Sequence, residues 1–177
     1  PDIRVLLLST GYQNEAHPLV SVSSGAGLVL ESGMGQEEIP AGQVLDIRPD
    51  DARFAGGVIR LRARDGGDLT VHSIERGCGQ PSYQGTLELR PTVEGVILIN
   101  ELPVESYLCR VLPSEMPASY ELEALKAQAV CARSYAYRQM ETFGYPEYEA
   151  HVNDSTDYQV YGNSAAQETS NRAVEET

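Results

Sequence analysis

A single glutamate stands between two prolines in the segment PSEMP, residues 113–117. A carboxylic acid can donate a proton to a leaving oxygen and, once ionised, accept a proton in return, which is general acid–base catalysis. Pro113 and Pro117 each restrict the backbone of the preceding residue, so Glu115 is held between two stiff points. A glutamate that only favours the start of a nearby helix would need no such restraint. Glu115 is therefore a candidate catalytic residue, and a purely structural role stays open.

Two cations follow in the most helix-prone part of the chain, predicted to form a helix from about residue 120 to about residue 142. At about 100° per residue, its apolar side chains form one narrow stripe. The stripe consists of Leu122, Leu125, Ala129, Ala132, Ala136 and Met140. Lys126 and Arg133 lie together on the shoulder of this stripe. They could bind hydroxyl or carboxylate groups, hold Glu115, or lay their aliphatic stems along the edge of the core.

The elements that must position these residues fall into two kinds. The first hundred residues contain short runs rich in Val, Ile and Leu, several of them alternating with polar residues and separated by Gly, Pro or Asp. These runs occupy residues 3–9, 19–24, 27–32, 43–49, 57–64, 69–74, 85–91 and 95–100. Turn signals at this spacing predict a small sandwich or barrel.

Helical spacing replaces the β pattern after residue 100, because apolar residues recur at 104, 107, 108 and 111. We expect Pro113 to end this first helix and Ser119 to cap the second. A polar loop with a short strand at 158–161 follows, and a last helix opens near 169. The predicted fold class is α+β: a β-rich region over 1–95, then two helices and a polar loop within 96–177, packed as one compact unit.

Composition argues against two classes of partner. The chain has 13 basic and 26 acidic residues, a formal net charge of −13. Nucleic-acid binding depends on Lys and Arg neutralising phosphates, and anionic membranes attract basic segments, so both are disfavoured. A neutral polysaccharide or another protein remains possible. Since the chain begins at Pro1 with no leader, we expect a fragment whose anchor, if it has one, lies outside it and which could be inactive alone.

The segment INELPVESYLCRVLPSEMPASYELEALKAQAVCARSYAYRQM, residues 99–140, resembles the core of the stage II sporulation protein D family, which includes amidase-enhancer relatives. The runs STDYQVYGN and SNRAVEET are similar to later segments of that family. The opening IRVLLL resembles its first strand. Specific similarity thus covers most of residues 96–177.

This resemblance implies a lytic transglycosylase that cleaves peptidoglycan glycan strands, preferring strands stripped of stem peptides, and leaves 1,6-anhydro-muramyl products. Glu115 maps onto the family's catalytic acid, and Lys126 and Arg133 onto residues implicated in activity. A bacterial, extracytoplasmic, cell-wall-facing protein is implied, with a cell-wall amidase as a possible partner. Because a cation close to Glu115 would favour its ionised form, we expect Lys126 and Arg133 to contact substrate, or to stabilise the ionised state, rather than to pair tightly with Glu115.

The loop departs from the family pattern. Asn153, Asp157 and Tyr158 stand where many members carry soft ligands associated with zinc, and one nearby histidine, His151, makes a poor zinc set with them. We predict no zinc and no other cofactor, with the loop held by hydrogen bonds and aromatic packing. Gln159 and Tyr161, in two positions that match the family, could line a glycan groove or serve structure alone.

Two other functions are compatible with the sequence. The first is a non-catalytic glycan-binding or amidase-activating module with the same groove. The second is a structural domain for assembly at the cell surface. Only a transglycosylase would form anhydro products that disappear when Glu115 is replaced by glutamine.

Overall fold

The structure, a computed structural model, describes residues 1–177 and confirms the α+β class, with a β-rich first half followed by helices. The strands are β1 (Asp2–Leu6), β2 (Ala16–His17), β3 (Val20–Ser23), β4 (Leu28–Ser32), β5 (Gly35–Ile39), β6 (Leu45–Ile47), β7 (Ile59–Ala63), β8 (Leu69–Val71), β9 (Ser82–Tyr83), β10 (Thr86–Thr92), β11 (Gly95–Pro103) and β12 (Val152–Asn153). The helices are α1 (Val104–Glu115), α2 (Leu122–Gln139) and α3 (Glu168–Glu175).

The chain folds into two compact units. One comprises residues Leu6–Glu101, and the other combines Pro1–Val5 with Leu102–Thr177. No helix in either unit is both long enough and apolar enough to traverse a membrane.

Two antiparallel sheets make up the unit Leu6–Glu101. In one sheet the strand order is β11-β10-β7-β4-β5, with β2 also paired to β11; in the other it is β6-β3-β8-β9. β10 and β11 form a hairpin whose register pairs Thr92 with Gly95 and Thr86 with Glu101. Strand β7 alternates as its sequence predicts, burying Ile59, Leu61 and Ala63 while its arginines stay exposed. This alternation gives the sheet one apolar face.

Strand β5 was not predicted. It pairs with β4 from Leu28–Ile39 to Ser32–Gly35, and its first four residues, Gly-Gln-Glu-Glu, are exposed. A strand at the edge of a sheet can be held by its backbone alone and so needs no apolar pattern. The charges on β5 thus hid it from a reading based on hydrophobic alternation.

The first helix does not end at Pro113 as expected. Pro113 lies inside the last turn of α1, which continues to Glu115. Val111 and Leu112 are fully buried, and this packing outweighs the preference of a residue before proline for extended backbone. The helix ends at Met116, which is extended at φ −142° and ψ 132° because Pro117 follows it.

Two further boundaries differ from the prediction. Helix α2 begins at Leu122 with Glu121, not Ser119, at the N-cap position, because the backbone of 117–120 forms a turn closed by Tyr120 N–H and the Pro117 carbonyl. The strand expected at 158–161 is absent, and the short strand is β12 instead. The N–H of Tyr161 donates to the Asp154 carbonyl within its own loop rather than to a neighbouring strand.

Candidate active site

An open groove of about 280 Å³ is lined by Glu115 and six other residues. All of them belong to the unit formed by Pro1–Val5 and Leu102–Thr177, which we call the helical unit. The walls of the groove are Gln128, Cys131, Ala132 and Tyr135 from α2, and Tyr158 and Gln159 from the loop after β12. Glu115 is exposed and supplies the only carboxylate of this lining. The groove thus combines one accessible acid with two tyrosine rings.

One hydrogen bond fixes the Glu115 carboxylate. Its Oε1 accepts from the backbone N–H of Val160 at 2.6 Å, while Oε2 makes no hydrogen bond within the chain. Glu115 reaches Val160 because it is the last residue of α1, where the extended backbone of Met116 before Pro117 ends the helix. The acid therefore lies at a helix end and faces a backbone donor.

Gln159 is held on both sides by buried groups. Its Oε1 accepts from the Tyr107 hydroxyl at 3.2 Å, and its Nε2 donates to the Ala132 carbonyl at 3.2 Å. Tyr107 is fully buried, and its ring centroid lies 4.8 Å from that of Tyr161. Burial first, then the nearby Tyr161 and other groups that include Glu115, raise the pKa of Tyr107 far above its usual value. Its hydroxyl is therefore a neutral donor at any ordinary pH.

The loop that carries Gln159 is held by hydrogen bonds and aromatic rings. Asn153 donates from Nδ2 to the Tyr145 hydroxyl at 2.8 Å, and its Oδ1 accepts from both the N–H and the hydroxyl of Ser155. The rings of Tyr145 and Tyr158 lie 6.4 Å apart. The carboxylate of Asp157 lies 3.5 Å from Asn153 Nδ2. No group of three or more His, Cys, Asp or Glu side chains is arranged to hold a metal ion.

Lys126 and Arg133 contact α3 and α1, not Glu115. The Lys126 ammonium lies 2.6 Å from Glu176, and its pKa is raised chiefly by that hydrogen bond. Arg133 forms a two-pronged pair with Glu105, at 2.9 and 2.8 Å, and donates to the Val174 carbonyl at 3.0 Å. Both cations thus connect α2 to the end of the last helix.

The two cations and the groove lie on opposite shoulders of the apolar stripe of α2. At about 100° per residue, Gln128, Cys131 and Tyr135 project on one side of the buried alanines, and Lys126 and Arg133 nearly opposite to them. The structure thus brings Gln159 next to Glu115 and places Tyr161 behind it, fully buried. It does not bring Lys126 or Arg133 into the groove lining.

Three residues of the groove lining were not predicted from the sequence: Gln128, Cys131 and Tyr135. The spacing 128, 131, 135 is itself a helical stripe, and this signal could have identified them. Burial first, then Tyr158 and Glu115, raise the pKa of Tyr135, which indicates how close these groups lie.

Residues 92–177 match the family model described as Stage II sporulation protein (SpoIID). This segment belongs to the stage II sporulation protein D family. The resemblance noted in the sequence is thereby confirmed, and every residue of the groove lies inside the SpoIID segment.

Curated relatives agree with this assignment. The chain is 46% identical over 67 residues to the amidase enhancer of Bacillus subtilis (strain 168), covering 38% of this chain and 8% of that protein. It is 33% identical over 105 residues to stage II sporulation protein D of Bacillus amyloliquefaciens, covering 55% of this chain and 30% of that protein. An uncharacterized protein of Brachyspira hyodysenteriae is 30% identical over 151 residues, which is 85% of this chain and 35% of that protein. The chain spans about a third or less of each relative, and no solved structure matches it.

Proposed function

We propose that the SpoIID segment is a lytic transglycosylase domain that cleaves peptidoglycan glycan strands with Glu115 as its single catalytic acid. The observation that carries the proposal is the groove lining, which holds one exposed carboxylate and no second one. Glycosidases that hydrolyse their substrate generally use two carboxylates about 5–9.5 Å apart. A groove with one acid favours a reaction in which the substrate supplies the nucleophile.

The reaction balances without water. Glu115, protonated at the start, gives its proton to the glycosidic oxygen as the bond from that oxygen to C1 breaks. The C6 hydroxyl of the same sugar attacks C1, forming the 1,6-anhydro ring, and passes its proton to the carboxylate of Glu115. Each turn returns the acid to its starting state.

The shape and chemistry of the groove support a sugar substrate. Tyr135 and Tyr158 present partly exposed rings beside Glu115, and flat aromatic faces with a polar tip pack well against sugar rings.

A second candidate is a glycan-binding module that activates a cell-wall amidase without cleaving glycan itself. The observation in its favour is the relative named amidase enhancer, which is 46% identical over the segment it shares with this chain. Under either candidate we propose that the protein works outside the cytoplasm, at the cell wall, with glycan strands and an amidase as partners.

Mass spectrometry of stripped glycan strands separates the two candidates. The full-length protein that contains this chain is incubated with the strands beside its Glu115→Gln variant and a matched control, Glu121→Gln, which makes the same change outside the groove. We expect anhydro-muramyl products from the wild type and the control, and none from Glu115→Gln. Strands that are bound by all three proteins but cut by none would reject the transglycosylase and favour the amidase-activating module.

A further inference from the structure

Gln159 lies in the groove lining, yet both polar atoms of its amide already have a partner within the chain. Its oxygen is engaged by the Tyr107 hydroxyl and its nitrogen by the Ala132 carbonyl. The residue is only 9% exposed. A side chain with both ends bonded to buried groups is fixed in place by them and does not reorganise to meet a ligand.

Val160, the residue after Gln159, connects the fixed side chain to Glu115. Val160 follows Gln159 directly, and its N–H donates to Glu115 Oε1 at 2.6 Å. The direction of this N–H is set by the peptide plane between residues 159 and 160, because that plane is stiff. Holding the Gln159 side chain restrains the residue to which this peptide plane is attached, and so restrains the only hydrogen bond that the Glu115 carboxylate makes.

We propose that Gln159 is a positioning residue, not a substrate ligand, and that Tyr107, Gln159 and Val160 form a strut that selects Oε2 of Glu115 as the oxygen that delivers the proton. This inference rests on the proposed function for its catalytic part. The carbonyl oxygen of a carboxylic acid is a better acceptor than its hydroxyl oxygen, so an N–H that donates to Oε1 favours the carbonyl role for that oxygen. The acidic proton therefore sits on Oε2, which is free to meet the substrate.

The strut also acts after proton transfer. Once Glu115 is ionised, the Val160 N–H donates to a charged oxygen, and such hydrogen bonds are shorter and stronger than neutral ones. The strut thus favours the carboxylate that forms in the transition state. It needs no change of charge in Tyr107, because burial keeps that hydroxyl protonated.

Nuclear magnetic resonance of the free protein tests the strut without any activity. An amide proton bonded to a carboxylate resonates downfield, so we expect the Val160 signal downfield in the wild type and displaced upfield in Glu115→Gln. Gln159→Leu should displace it in the same direction, and Gln128→Leu, the same change in the same groove, should not. Tyr107→Phe keeps the ring beside Tyr161 and removes only the hydroxyl, so it gives a second, milder test. An unmoved Val160 signal in both Gln159→Leu and Tyr107→Phe would overturn the proposal.

Strand-cleavage kinetics test the catalytic part. A misplaced acid affects the chemical step, so Gln159→Leu should lower kcat roughly 10²-fold and change KM less than about threefold. Gln128→Leu should act on KM instead. A loss in Gln159→Leu that falls on KM alone would make Gln159 a substrate ligand after all. If the wild type cuts no strands, the proposed function fails, while the Val160 signal still decides whether the strut exists.

Discussion

Replacing Arg133 by methionine should destabilise the helical unit, because this arginine connects α2 to α1 and to the end of α3. Its guanidinium pairs with Glu105 and donates to the Val174 carbonyl and the Thr177 hydroxyl. Glu105 is 53% exposed, so solvent screens the pair and limits it to about 0.2–1 kcal/mol. The hydrogen bond to the carbonyl adds about 1 kcal/mol. Methionine keeps the apolar stem, so only the polar part is lost.

The expected loss is therefore about 1–2 kcal/mol in the free energy of unfolding. For a chain of this size, about 1.5 kcal/mol corresponds to a fall in Tm of roughly 3–6 °C. Urea unfolding followed by far-UV circular dichroism measures it. Arg138→Met is the matched control: Arg138 lies on the same helix, is 77% exposed and pairs only with Glu141, so its replacement should cost less than about 0.5 kcal/mol.

The opposite result would restore the expectation from the sequence. If Arg133→Met unfolds at the same urea concentration as the wild type and instead raises KM for stripped strands, Arg133 is a substrate ligand. Equal losses of stability in Arg133→Met and Arg138→Met would also refute the argument, because the contacts with α3 would then contribute nothing measurable.

Two other perturbations have defined outcomes. Burial lowers the pKa of His17, so below about pH 6.5 the unfolded chain binds a proton at this residue more readily than the native chain does. The free energy of unfolding should therefore fall as the pH is lowered from about 7 to 5. Urea titrations at each pH measure this slope, and His17→Gln should flatten it. Equal slopes would show that another group titrates. Gly144→Ala would place a Cβ 2.5 Å from the Tyr158 hydroxyl and 2.8 Å from the His151 carbonyl, so the Tyr158 side chain, which lines the groove, and the backbone at His151 must both shift. Losing the contact between Tyr158 and the substrate, worth about 1 kcal/mol, should raise KM roughly fivefold. Gly25→Ala, whose added Cβ lies in open space, should leave KM unchanged. An unchanged KM in Gly144→Ala would mean that Tyr158 does not touch substrate.

The strands and helices were predictable where burial alone decides them. Strands such as β7 alternate strictly, and α2 shows an unbroken apolar stripe, so local pattern and packing agree. The predictions were wrong where something other than the local hydrophobic pattern decides the structure. Strand β5 is held by backbone bonds at a sheet edge, and Pro113 stays in α1 because the buried side chains beside it keep the helix intact.

The sequence singles out Glu115, whose catalytic role stays a prediction, but it does not reveal the groups around that residue. Pro113 and Pro117 draw attention to Glu115 because each restricts the backbone of the residue before it. The helical wheel placed Lys126 and Arg133 on a shoulder of the stripe, yet a wheel cannot tell which shoulder faces a groove and which a third helix. The role of Gln159 depends on a buried tyrosine 52 residues away along the chain, a distance that no local pattern spans.

Helix α1 connects the contacts of Arg133 at one end to Glu115 at the other. Glu105, in the first turn of α1, pairs with Arg133, which also donates to the Val174 carbonyl at the end of α3. Glu115, the last residue of α1, lies about 15 Å further along the helix axis. Over that length a tilt of about 4° displaces Glu115 by about 1 Å, and a shift of that size at the reacting groups can cost about 10²-fold in rate. Under the proposed function, a contact at α3 that tilted α1 by this amount would therefore slow strand cleavage without touching the groove.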